Sequence, residues 1–143
     1  MLERLPEFTA NNPLLIVMFV ALVIALIVTE LRHKSRGFAS LSPALLTQLI
    51  NRQEPVLIDV SANAEFDRGH IVGARNILPS SLEPENKPLT DWKDSPLAIY
   101  CKNGMASEQI CRKLVKAGYA KVHWLRGGLA AWSAENLPVT RGK

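Results

Sequence analysis

The sequence predicts an α/β domain, a central and mostly parallel sheet with helices on both faces, behind a single transmembrane helix. Two observations carry the prediction. Between residues 42 and 134, short β-branched apolar runs alternate with amphipathic stretches joined by short loops, the pattern of a parallel sheet covered on both sides. Ahead of them, Leu14 to Val28 is an uncharged apolar run with no polar face. Composition sets further bounds. A chain of 143 residues, 48% apolar, holds one ordinary domain and a short appendage. The two cysteines, Cys101 and Cys111, form no CxxC or Cys/His cluster, so neither a zinc site nor a disulfide framework is expected, and the thiols should be free in a reducing compartment. A net charge of +4 is mild and comes partly from Arg32, Lys34 and Arg36 and from Arg141 and Lys143. No basic stripe with interleaved aromatics accompanies it, which argues against nucleic-acid binding.

Taken in order, residues 1–12 are a polar lead-in with Glu3, Arg4 and Glu7, and residues 13–31 are the transmembrane helix. The apolar run is slightly short of the ~20 residues that cross a bilayer core, and Thr29 to Leu31 extend it. A cleaved signal peptide would carry its basic residues first and a small-residue cleavage site after; here the basic residues follow and no Ala-x-Ala pattern appears. A retained anchor in the inner membrane is the reading. Basic residues behind the helix and acidic ones before it put the N-terminus outside and the domain in the cytoplasm. No GxxxG pattern points to helix-driven dimers. Residues 32–41 are read as a basic linker and 42–143 as the domain.

Ser42-Pro43 starts a helix with a capping hydroxyl and a proline at its first position, and Leu45, Leu46, Leu49 and Ile50 share its apolar face to about Asn51. Val56 to Val60 reads as a buried parallel strand with Asp59 near its carboxyl end. Ser61 to Arg68 is a short helix or turn, Gly69 to Gly73 a tight loop, and Arg75 to Leu78 a short strand. Pro79, Pro84 and Pro88 punctuate a long connection to Trp92. A second buried strand, 96–100, delivers Cys101.

After a loop with Gly104, Ser107 is expected to cap a helix that Gly118 stops. Its apolar side holds Ile110, Cys111, Leu114 and Val115, which makes Cys111 a small core residue. Lys121 to Leu125 is the last strand, and Gly127-Gly128 turns it into a short helix, 129–134. Ligands of such sheets bind beyond the carboxyl ends of the strands, where Cys101 and Asp59 lie. A cysteine at a helix N-terminus meets backbone N–H groups and the positive end of the helix dipole, which favour the thiolate. His70 reads as a structural histidine, Asp59 as support for the loop, Arg75 and Arg126 as surface or pocket-border charges, and Trp92, Trp124 and Trp132 as core or rim aromatics.

These segments resemble a known family, the single-domain rhodanese-like sulfurtransferases, and with the apolar helix and the ending 135–143 its membrane-anchored members. The matching motifs are Leu57-Ile58-Asp59-Val60, Glu65-Phe66 with Gly69 to Ile77, Tyr100-Cys101 with its loop, and Leu125 to Trp132. The resemblance implies a rhodanese-like three-layer fold and a catalytic Cys101 that takes a sulfane sulfur from thiosulfate or a persulfide and hands it to a thiol or other nucleophile. Lys102, Asn103, Gly104, Met105 and Ala106 would form the substrate-binding loop, with Asp59 and Ser107 in support, and no metal or organic cofactor is required. Many members carry arginines at the second and last loop positions, here Lys102 and Ala106. Lysine keeps the charge but loses the planar fork that grips an oxyanion. Phosphatases of related fold close a Cys-x5-Arg loop with an arginine, and Ser107 stands at that position. A second reading, favoured by the anchor, is a membrane-surface module that binds a membrane-protein partner on the same scaffold with little or no catalysis.

Overall fold

The computed structural model describes residues 10–35, 37–87 and 89–142. Residues 1–9 of the expected lead-in, with Arg36, Pro88 and Lys143, lie outside them. The chain divides into two compact units between Arg36 and Gly37.

The first unit holds helix α1, Pro13–Ser35. Its stretch Pro13–Arg32, 20 residues with mean hydropathy 3.0, is long and apolar enough to cross a membrane, a property shared by anchors and signal sequences. Leu14, Phe19 and Leu26 are exposed, unlike the side chains of a soluble core helix. The helix extends past the expected 31 into the basic segment. Arginine and lysine are good helix formers, and no breaker intervenes before Gly37.

The second unit contains β1 (Ala39–Leu41), α2 (Pro43–Gln53), β2 (Val56–Asp59), α3 (Asn63–Arg68), β3 (His70–Ile71), β4 (Arg75–Asn76), β5 (Leu97–Tyr100), α4 (Met105–Lys116), β6 (Val122–Leu125), α5 (Gly128–Ala134) and β7 (Val139–Thr140). Five strands form one sheet in the order β1-β6-β5-β2-β4, every pairing parallel. Residues 39–41, read from the sequence as linker, are its edge strand, with Ala39 opposite His123. β3 and β7 make a separate antiparallel pair. Residues 70–71, read as loop, thus gain a partner from the C-terminal segment.

Alternation along the central strands builds the two faces. Ile58, Ile99 and Cys101 face one core with Phe38, Ile110, Cys111, Leu114 and Trp124. Leu57, Ala98 and Tyr100 face the other with Leu46, Leu125 and Trp132. Each strand is buried on both sides, which is why it reads as a continuous apolar run. Ser42 caps α2 as expected, its hydroxyl accepting from Leu45 N–H. The carboxyl ends of β2, β5 and β6 lie side by side, and the loops that leave them form the site.

Candidate functional site

Cys101 follows directly on β5 and is 5% exposed. Gly104 turns the loop into α4 with φ +89, a backbone that favours glycine. Helix α4 begins at Met105, three residues earlier than a Ser107 cap allows. The capping group is the Asn103 side chain, whose Oδ1 accepts from Met105 N–H at 3.0 Å. Ser107 instead lies inside the first turn and is fully buried. The loop proper is therefore 101–104, and Met105 and Ala106 are exposed residues of the helix's first turn.

Three polar groups surround the Cys101 sulfur. Gly104 N–H donates to Sγ at 3.1 Å, Ser107 Oγ stands 3.5 Å away, and Asn103 Oδ1 3.6 Å. Behind them, Ser107 Oγ is 3.0 Å from Gly104 O, and Trp124 Nε1–H reaches Gly104 O at 2.9 Å and Ser107 Oγ at 3.2 Å. A hydroxyl has one proton to give. With a thiol, Sγ–H points to Asn103 and Ser107 donates to Gly104 O. With a thiolate, Ser107 turns its proton to Sγ, and Trp124 keeps Gly104 O satisfied. The network accommodates both states without an orphaned group.

The loop is held from its other side by α5. Leu129 N–H donates to Cys101 O at 2.9 Å and Ala130 N–H to Lys102 O at 3.0 Å. This close approach requires Gly128, because a Cβ there would collide with Cys101 O and crowd Gly104 N. Trp124 and Gly128, read from the sequence as a core or rim aromatic and a turn residue, are thus structural parts of the site. The signal was their position at the carboxyl end of β6, beside the ends of β2 and β5.

The remaining expected residues divide. Lys102 is 72% exposed and stands 3.8 Å from Glu65. With Ser61, Glu65, Arg68, Leu129 and Arg141 it lines a cavity of about 260 Å³ beside the loop. Asp59 does support a loop, though the one after β2: its Oδ1 accepts from Ser61 N–H at 2.8 Å, with no bond to residues 101–106 among the described hydrogen bonds. Burial, and then the Asp59 charge, push the Tyr100 phenol well above its ordinary range. His70 is structural, stacked on Phe66 with Nδ1 2.9 Å from Phe66 O. Arg75 lies over Trp92, 5.1 Å from the ring centre, outside this cavity. Cys111 is fully buried, and burial followed by the Glu108 charge pushes its thiol far up. Among the described residues no cluster of His, Cys, Asp and Glu is gathered to hold a metal ion.

A parallel α/β domain with a cysteine set in a short loop between a buried strand and a helix N-terminus defines a narrow class. The family model for the Rhodanese-like domain matches residues 42–135, and the chain belongs to that family. It is 33% identical to YibN of Escherichia coli (strain K12), over 99% of this chain and 100% of that protein. A sulfurtransferase of Allochromatium vinosum is 36% identical over 98 residues, 68% of this chain and 90% of that one. Among solved structures, the rhodanese-related protein of Thermoplasma volcanium superposes with TM-score 0.63 at 26% identity, covering 73% of this chain and 100% of that one.

Proposed function

We propose that the protein is a membrane-anchored sulfurtransferase in which Cys101 carries sulfane sulfur as a persulfide. The observation that supports this is the Cys101 sulfur held against Gly104 N–H and the Ser107 hydroxyl, donors suited to a thiolate and to the terminal sulfur of a persulfide. In the first half-reaction the Cys101 thiolate attacks the outer sulfur of the donor. The donor's sulfur–sulfur bond breaks, and its electron pair leaves with sulfite, if the donor is thiosulfate, or with a thiolate, if it is a persulfide. In the second, a nucleophilic acceptor attacks the outer sulfur of the Cys101 persulfide and the pair returns to Cys101. No net oxidation occurs.

Lys102 supplies a point charge in the Cys101 loop, without the fork of an arginine. A persulfide, whose leaving group is a thiolate, is therefore the better donor, and thiosulfate the poorer one. Helix α1 is the anchor, with the domain on the cytoplasmic side, where free thiols persist.

Intact-mass analysis of the full chain in detergent, after incubation with thiosulfate or a persulfide, tests the reading. The expected result is a gain of one sulfur that Cys101→Ser abolishes and that the persulfide produces faster. No adduct with any donor, together with a membrane partner that co-purifies equally with Cys101→Ser, would instead establish a binding platform.

A further inference from the structure

The cavity beside the loop gathers cations from distant parts of the chain. Arg68 ends α3, Arg141 follows β7, and Lys102 belongs to the Cys101 loop. The pairing of His70 with Thr140 and Ile71 with Val139 draws the C-terminal segment back, and Gly142 N–H donates to Asp67 O at 2.9 Å. Arg141 is thereby pinned near Arg68. Among the described residues neither guanidinium is paired with a carboxylate. Glu65, the one carboxylate in the wall, leans toward Lys102.

Like charges collected in one concavity raise its potential for anions, and unpaired guanidiniums present forks matched to carboxylates. The volume, about 260 Å³, would hold about nine waters at ~30 Å³ each, so a small inorganic anion fills only part of it. Leu129 and Val139 add apolar wall for aliphatic carbons.

We propose that this cavity seats the carrier portion of the sulfur donor, a low-molecular-weight persulfide whose carrier bears carboxylates and an ammonium group. The proposal rests on the reading of Cys101 as a persulfide carrier. The carboxylates meet Arg68 and Arg141, the ammonium meets Glu65, and Lys102, shared by cavity and loop, brings the sulfur end to Cys101. The thiolate of Cys101 then takes the outer sulfur, the donor's sulfur–sulfur bond breaks, and the electron pair leaves with the carrier thiolate. The sulfur changes hands at constant oxidation level, and no co-reactant is needed.

The test uses the full chain in detergent with glutathione persulfide, which has such a carrier, and hydroxyethyl persulfide, which has none. Loading of Cys101 followed by mass gives KM for each. The expected preference for glutathione persulfide falls about fivefold in Arg68→Gln and again in Arg141→Gln, the upper end for a solvent-accessible ion pair. Arg52→Gln, on α2 and away from the cavity, keeps it. In parallel, binding of the unreactive S-methylglutathione to Cys101→Ser is measured by calorimetry and is expected to weaken with either arginine substitution. Loading from both persulfides with equal KM, unaffected by the arginines, would overturn the subsite and leave the sulfur carrier standing. Arginine-dependent binding of S-methylglutathione to a chain whose Cys101 accepts no sulfur would uphold the cavity and remove the carrier chemistry. Binding indifferent to both arginines overturns the proposal outright.

Discussion

Trp124→Phe is the most informative single change, because it separates the site's hydrogen bonding from its packing. A phenylalanine keeps a ring against Phe38, now 6.3 Å away edge to face, and keeps most of the buried apolar surface. It removes the N–H that reaches Gly104 O at 2.9 Å and Ser107 Oγ at 3.2 Å. Gly104 O is not orphaned, because Glu108 N–H and Ser107 Oγ still donate to it, at 3.2 and 3.0 Å. The Ser107 proton is then held there and withdrawn from the Cys101 sulfur. The expected cost to folding is the ordinary worth of a neutral hydrogen bond, about 1 kcal/mol, plus the smaller ring.

Sulfur loading should suffer through Ser107. Ser107→Ala deletes a hydrogen bond to a charged sulfur, worth about 1.5–3 kcal/mol, and should slow loading about 10- to 100-fold. Trp124→Phe alone should slow it about fivefold, roughly 1 kcal/mol. Since the tryptophan acts through the serine, Trp124→Phe added to Ser107→Ala should cost little more in rate, giving a coupling of about 1 kcal/mol. The assay is the rate of persulfide formation by intact mass, with thermal unfolding of the same four proteins alongside. If Trp124→Phe slows loading equally with and without Ser107→Ala, the relay is wrong and Trp124 is only packing. If loading is untouched while stability falls, the same conclusion holds.

Gly128→Ala should destabilise the domain by more than the ~1–2 kcal/mol of a left-handed backbone at φ +59, because its Cβ also meets the Cys101 loop; urea unfolding in detergent measures it. The alkaline side of the stability curve should be steep. The Tyr100 phenol and the Cys111 thiol are both held protonated by burial, whereas in the unfolded chain the thiol ionises near pH ~8.5 and the phenol near ~10. Below those values both contributions are fully present. Above them the folded state binds more protons, so stability is lost as pH rises, by up to about 1.4 kcal/mol per pH unit and group. Urea midpoints between pH 7 and 10 should fall, later for Cys111→Ala than for the native chain; a flat profile would contradict the burial argument. Mild alkylation at neutral pH should modify Cys101 before Cys111, as peptide mapping of the native chain would read.

Which parts of this molecule the sequence reveals follows from element length. Val56 to Asp59 and Leu97 to Tyr100 are long enough, and buried enough on both faces, to read as parallel strands, and Cys101 at the end of the second is legible with them. β3 and β7 have two residues each, too few for any alternation, and their partnership spans about 70 positions of sequence. The start of α4 was misread for a different reason. Ser107 has the right chemistry for a cap, but Asn103 offers its oxygen earlier, and Gly104 permits the turn that lets it. Trp124 reads as a core or rim aromatic; its ring is buried in the core, and its ring nitrogen reaches the loop at Gly104 O.

The pairing of β3 with β7 bears on the charge at the site. Judged from positions 102–106 alone, the loop is short of cations, with Lys102 in place of an arginine fork and Ala106 offering no charge. The pairing of β3 with β7 places Arg68 and Arg141 in the wall that Lys102 shares. Positive charge thus lines the cavity that shares Lys102 with the loop, and not the immediate surroundings of the sulfur. A cation that touches the transferred group stabilises a small leaving anion such as sulfite; one that stands a residue away acts on whatever the leaving thiol is attached to. On the proposed reading, the same net charge would favour recognition of a carrier over stabilisation of an inorganic product, a preference set by where the arginines stand rather than by how many there are.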